Sequence, residues 1–215
     1  MKVLDRLASA QGRRTQEPNE EVAGLCLEAP ELLEQIASGL TGADARLAGD
    51  CAEVMTKVAE KDPRAVTPYA GTLVSALGHR NGRVRWESAH ALALVADAAA
   101  ETVEAALPTL EGLVRNHEGV IVRDYAIDAI GRWGTTSPSR ATRAWGILRD
   151  ALHSWGGRHA PRILGHGAAL VAAQPALAGE LRSVASSFAD AERAGARKAA
   201  KALAKALDGS SLTPA

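Results

Sequence analysis

The residues best equipped for chemistry lie close together in LHSWGGRHAPRILGHG, residues 152–167, which holds His153, His159 and His166 with Trp155, Arg158 and Arg162. Imidazoles that meet on a metal usually sit at i, i+4 on one helix or alternate with carboxylates. Here the spacings are six and seven residues and no acidic residue stands among them. A metal centre is therefore a poor reading, and no metal or cofactor is expected. Glycines at 156, 157, 165 and 167 make the segment read as a loop between helices. With His153, Trp155 and Arg158 it has the makings of a partner-binding rim. Whether it is such a rim or a plain connector stays open.

Other catalytic patterns are missing from the sequence. Cys26 and Cys51 are embedded in apolar stretches and belong to no C-x-x-C pair, so they read as small buried hydrophobes. Phosphate-binding glycine loops, nucleophile elbows and zinc motifs are absent. The expectation is a protein without catalytic activity.

The elements that position these residues follow from composition. Apolar residues make up 47% of the 215 and aromatics only 3%, so the core must be built from Ala, Leu and Val, a palette that favours helices. Twenty-five cations balance twenty-five anions, which disfavours a surface made wholly for polyanions. The balance is uneven along the chain: residues 1–104 carry 11 basic and 16 acidic side chains, residues 105–215 carry 14 and 9. Charges at Lys2, Asp5 and Arg6 interrupt any signal-peptide core, and no apolar run is long enough to span a membrane. A cytoplasmic protein is the expectation.

A repeat of about 38 residues runs through the chain. Pro30, Pro68 and Pro108 are 38 and 40 residues apart and precede apolar helical series; Arg46, Arg85 and Arg123 are 39 and 38 apart and open alanine-rich ones. Each unit reads as helix, short break, helix. Ala89, Leu92, Ala93 and Ala96 line one face of a first helix; Val103, Ala106, Leu107, Leu110 and Val114 line its partner. The reading is a single all-α solenoid domain of about five antiparallel helix pairs. Its best units are 44–78, 83–115 and 120–153, with degenerate units at 19–40 and 159–189, a capping helix at 191–207 and a frayed tail after it.

Two stretches carry a family resemblance. AALPTLEGLV (105–114) and VIVRDYAIDAIG (120–131) resemble the second and first helices of a HEAT repeat of the short bacterial kind. The likeness covers residues 44–152 well and implies an armadillo- or HEAT-like fold with no activity attached. Among HEAT-like enzymes, the alkylpurine DNA glycosylases act through aromatics and an Asp in a basic cleft. Trp133, Trp145, Trp155 and Asp128 offer those residue types, but their order and setting do not match. Nothing carries over from the bilin lyases.

Within such a fold Arg46, Arg85 and Arg123 read as structural, because recurrence in every unit is what packing demands. Trp86 reads equally as filler between repeats or as a surface contact. The second helices of a solenoid line its concave side, which would present Arg64, Thr67 and Gly71, then Glu104, Glu111 and Arg115, then Arg143, Arg149 and Asp150. Their mixed charge favours a protein or peptide partner over nucleic acid. The expected role is a scaffold for a protein partner, with nucleic-acid binding through the basic C-terminal half as the alternative.

Overall fold

The computed structural model describes residues 2–209, all of whose regular elements are helical; the expected tail from residue 210 onward lies outside them. The chain divides into two compact units, residues 1–106 and 107–215. In the first, a 3-10 turn (Val3–Arg6) leads to α1 (Glu17–Glu28), α2 (Leu33–Leu40), α3 (Ala45–Lys61), the single turn α4 (Pro63–Val66), α5 (Ala70–Ala76) and α6 (Gly82–Val95). Helix α7 (Ala100–Asn116) begins in the first unit and ends in the second. There follow α8 (Val120–Gly134), α9 (Pro138–Asp150), the short turn α10 (Ser154–Gly157), α11 (Ala160–Ala173), α12 (Ala178–Ser187) and α13 (Ala194–Gly209). No helix among the described residues is long and apolar enough to cross a membrane.

In each unit the first helices of successive pairs pack side by side: α1, α3 and α6 in one, α8, α11 and α13 in the other. Leu33, Ile36, Met55, Leu73 and Leu92 fill the first core. Trp133 and Trp145, fully buried, dominate the second.

The corners between paired helices share one backbone solution. Ala29, Asp62 and Gln174 end α1, α3 and α11 with φ near −140° and ψ of 81 to 90°, and each is followed by proline. A residue before proline is pushed out of the helical region, so the chain must turn there. The prolines that make corners are thus Pro30, Pro63 and Pro175, while Pro138 opens α9 behind its Ser137 cap. Pro68 falls in a 3-10 turn five residues after Pro63, and Pro108 lies inside α7. The evenly spaced prolines therefore do not occupy equivalent places.

The arginines show the same contrast. Asp44, Asn81 and Gly119 precede α3, α6 and α8, and counted from them Arg85 and Arg123 both fall at the fourth helical residue. From there the Arg85 guanidinium donates to the carbonyls of His79 (2.8 Å) and Arg80 (3.1 Å), and Arg123 donates to those of His117 and Glu118. Arg197 in α13 does the same to Ala191 and Glu192, at 2.7 and 2.8 Å. These charged donors satisfy carbonyls of the incoming turn that no helix can reach. His79 and His117 tighten that turn by accepting the backbone N–H two residues on, at 3.0 and 2.9 Å. Arg46 sits two residues earlier, at the position of Arg83, and its side chain is exposed. Arg85→Met should accordingly lower stability by about 1–3 kcal/mol in urea unfolding, whereas Arg46→Met should stay within about 0.5 kcal/mol. Equal effects would remove the distinction.

Candidate functional site

In the first unit two buried carboxylates, Asp50 and Glu53, converge on the buried Asn19 of α1. Its amide donates to Asp50 Oδ1 at 3.0 Å and Glu53 Oε2 at 2.7 Å, and its carbonyl oxygen accepts from the Ala8 N–H at 3.0 Å. Arg83, in the first turn of α6, reaches back to both carboxylates on α3. Lys57 adds contacts to Glu20 at 3.0 Å and Glu53 at 3.6 Å. Burial raises the Asp50 carboxyl, but hydrogen bonds from Ser9 and Asn19 and the charge of Arg83 outweigh it and hold the group below its usual range. This clasp ties three first helices together and forms one wall of a cavity of about 590 Å³, lined also by Arg13, Arg14 and Arg46.

The second unit repeats the clasp in different residues. Asp124 and Asp128 on α8 face His159, Arg162 and His166, which run from the start of α11 into its second turn. Arg123 Nε donates to His159 Nε2 at 2.8 Å, which leaves the His159 Nδ1–H to donate to Asp124 at 2.7 Å. Arg162 spans both carboxylates, and His166 meets Asp128 at 2.9 Å. The His166 ring lies so close over Gly131 that an added Cβ would stand 2.4 Å from it. His159, Arg162 and His166 are each engaged by a carboxylate, so the cluster works as a helix clamp.

Residues 152–167 are consequently not one loop. Only residues up to His159 precede α11; Arg162, Gly165, His166 and Gly167 are helical. The histidines go to three different partners: His153 stacks on Phe188 at 5.3 Å, His159 bonds Asp124, and His166 bonds Asp128. No cluster of three metal-ligating side chains exists among the described residues.

What the segment does build is a strained aromatic rim. Trp155, Gly156 and Gly157 all have φ between +55 and +68°, a region that favours glycine and costs a tryptophan about 1–3 kcal/mol. Trp155 is held there by an Nε1–H bond to the Val114 carbonyl (3.3 Å) and by the Arg123 guanidinium 3.8 Å from the ring centre. The residue nevertheless remains 43% exposed. Burial, and then the nearby charge of Arg158, hold the Arg123 guanidinium below its ordinary range against the pull of Asp124. Asp124, Arg158, Pro161 and Arg162 line an open cavity of about 390 Å³.

The second-helix residues singled out from the sequence are more dispersed. Glu104, Glu111 and Arg115 are on α7, where Glu111 and Arg115 pair at 3.5 Å. Arg143, Arg149 and Asp150 are on α9; Arg149 reaches Glu180 of α12 at 2.9 Å and Asp150 at 3.5 Å, and Arg143 lies 5.9 Å from the Trp133 ring centre. Trp133 and Trp145 are sealed in the core and cannot stack on a nucleobase, and Asp128 is bound by Arg162 and His166. Asn19, Asp50, Glu53, Arg83 and Asp124 escaped the sequence reading. A signal existed: Asp50 and Glu53 interrupt the otherwise apolar run from Ala48 to Met55, where unpaired carboxylates would be costly.

No family model and no curated protein matches the sequence. Solved structures do match in fold. A designed armadillo repeat protein, YIII(Dq.V1)4CPAF in complex with the peptide (KR)4, is similar at 15% identity and TM-score 0.72, over 95% of this chain and 98% of that one. Another, YIII(Dq)4CqI, is 14% identical with TM-score 0.66, over 89% and 92%. An archaeal HEAT-like repeats protein from Thermococcus onnurineus NA1 aligns at 14% identity and TM-score 0.49, over 91% and 98%.

Proposed function

We propose that this all-helical chain, whose fold is similar to that of designed armadillo repeat proteins, binds an extended segment of a protein partner, and does so without catalysis. One observation carries the reading: Trp155 is kept half exposed on a left-handed backbone, beside a cavity edged by Arg158, Arg162 and Asp124. Backbone strain persists only where the surroundings enforce it, and it gathers at binding sites. A rigid aromatic next to arginine is also the usual composition of an interface anchor. The partner segment would lay an apolar or aromatic side chain on Trp155 and place charge against Arg158, with His153 at the edge. Glu111, Arg115, Arg143, Arg149 and Asp150, all of the same unit, would supply a polar periphery. A designed armadillo repeat protein of similar fold, in complex with a peptide, supports the kind of partner.

The reading is tested by selecting peptides from a displayed random library and measuring the winners by fluorescence anisotropy. Trp155→Ala and Arg158→Glu should each weaken binding about tenfold or more, the effect of losing an interface anchor. Selected peptides that bind both variants as tightly as the parent chain would exclude this rim.

A further inference from the structure

The cavity in the first unit has a chemical character that the clamp beside it does not explain. Its one lining carboxylate, Asp50, is answered by Arg83, which lines it too. Arg13 and Arg14, on the connector before α1, and Arg46, in the first turn of α3, line the same space and are exposed. None of these three has an ion-pair partner among the described residues. The nearest capping carboxylate, Asp44, is occupied by the N–H groups of Arg46 and Leu47, at 2.8 and 3.2 Å. Thr15 and Gln16 add uncharged hydrogen-bonding side chains, and at about 590 Å³ the space admits a group far larger than water.

Three arginines from two separate segments, lining one polar cavity, exceed what a single carboxylate can use. They match a tetrahedral dianion, whose oxygens can accept paired N–H donors from more than one arginine. A phosphate monoester carries a charge of about −1.5 to −2 at neutral pH and three such oxygens. We propose that this cavity binds a phosphoryl group, presented on a phosphorylated side chain of a peptide segment. Arg13, Arg14 and Arg46 take the phosphoryl oxygens, while Thr15 and Gln16 meet the neighbouring backbone. The site belongs to a different unit from the Trp155 rim, so it stands or falls on its own.

The full-length chain is titrated into a labelled glycine-alanine peptide carrying one phosphoserine, and anisotropy is read at low salt, where surface charges are least screened. The same peptide without phosphate, inorganic phosphate as competitor, and a single-stranded oligonucleotide complete the set. The phosphopeptide should bind at least about tenfold more tightly than its unmodified twin, a gain that R13E/R14E and, separately, R46E abolish. Trp155→Ala should leave it unchanged. Because the three arginines are exposed and make no ion pair, these variants should keep the parent helical dichroism. Displacement by inorganic phosphate, with no gain from the peptide around it, would assign the phosphoryl site to a free compound and overturn the peptide part. Equal affinity for the two peptides, retention of binding by both arginine variants, or an oligonucleotide that binds as well as the phosphopeptide would overturn the proposal.

Discussion

Truncation of Trp133 to alanine should destabilise the second unit by about 3–5 kcal/mol, the range for deleting a large buried aromatic whose site cannot collapse. The indole is fully buried, and the helices that enclose it are already in close contact. An alanine Cβ added at the adjacent Gly134 would stand 2.5 Å from the Ala144 Cβ and 2.6 Å from Leu170. Helices α8, α9 and α11 therefore have little room to close over the vacated space. Arg140 and Arg143, whose guanidiniums lie 6.0 and 5.9 Å from the ring centre, would lose that face as well. Urea unfolding followed by circular dichroism reads the effect, and Trp133→Phe should recover part of it. A loss below about 1 kcal/mol for the alanine variant would mean that the core around the ring is loosely packed.

The second large effect depends on pH and comes from Glu87 of α6. Burial, with the nearby charge of Glu53, raises its carboxyl from 4.5 to about 7, against the opposing influence of Thr56, Arg83 and Lys57. The unfolded chain releases this proton near pH 4.5, whereas the folded chain keeps it until about pH 7. Between those values the native state binds the extra proton, so stability falls as pH rises and the loss is complete above about pH 7. The shift corresponds to about 3 kcal/mol. Glu87→Gln removes the ionisation and keeps the shape. Its stability relative to the parent chain should be near zero at about pH 4 and should grow to about 3 kcal/mol at about pH 8. A difference that stays constant across that range would show that Glu87 ionises normally in the folded protein. Asp50 acts in the opposite direction: its lowered carboxyl stabilises the native state at neutral pH, and that contribution disappears on acidification.

The helical repeat was legible because alanine and leucine at three- and four-residue spacing leave few other ways to bury an apolar face. Its register was less so. Arg46 and Arg85 are 39 residues apart, yet one stands at the second residue of its helix and the other at the fourth. Only a guanidinium at the fourth residue reaches the carbonyls of the incoming turn, and spacing alone does not reveal where each helix starts. The prolines behave alike: an apolar series follows Pro68, while the corner is set by the residue before Pro63. The histidines misled in another way. A glycine-rich composition suggested a loop through residue 167, but Pro161 at the front of α11 starts the helix early, and His159 and His166 then face carboxylates about 35 residues back in the chain. Pairings at that distance depend on which helices lie side by side, and a single sequence does not encode them visibly.

The arginine bonds at Arg85, Arg123 and Arg197 all close over five or six residues, and the clasps between first helices close over 30 to 38. Interactions this short in sequence lower the entropic barrier to forming structure, so each hairpin can assemble as soon as its immediate neighbour has been made. On an emerging nascent chain, the Asn19, Asp50 and Arg83 clasp can be complete while the second unit is still being synthesised. The N-terminal helices then need not wait, with apolar faces uncovered, for the C-terminal ones.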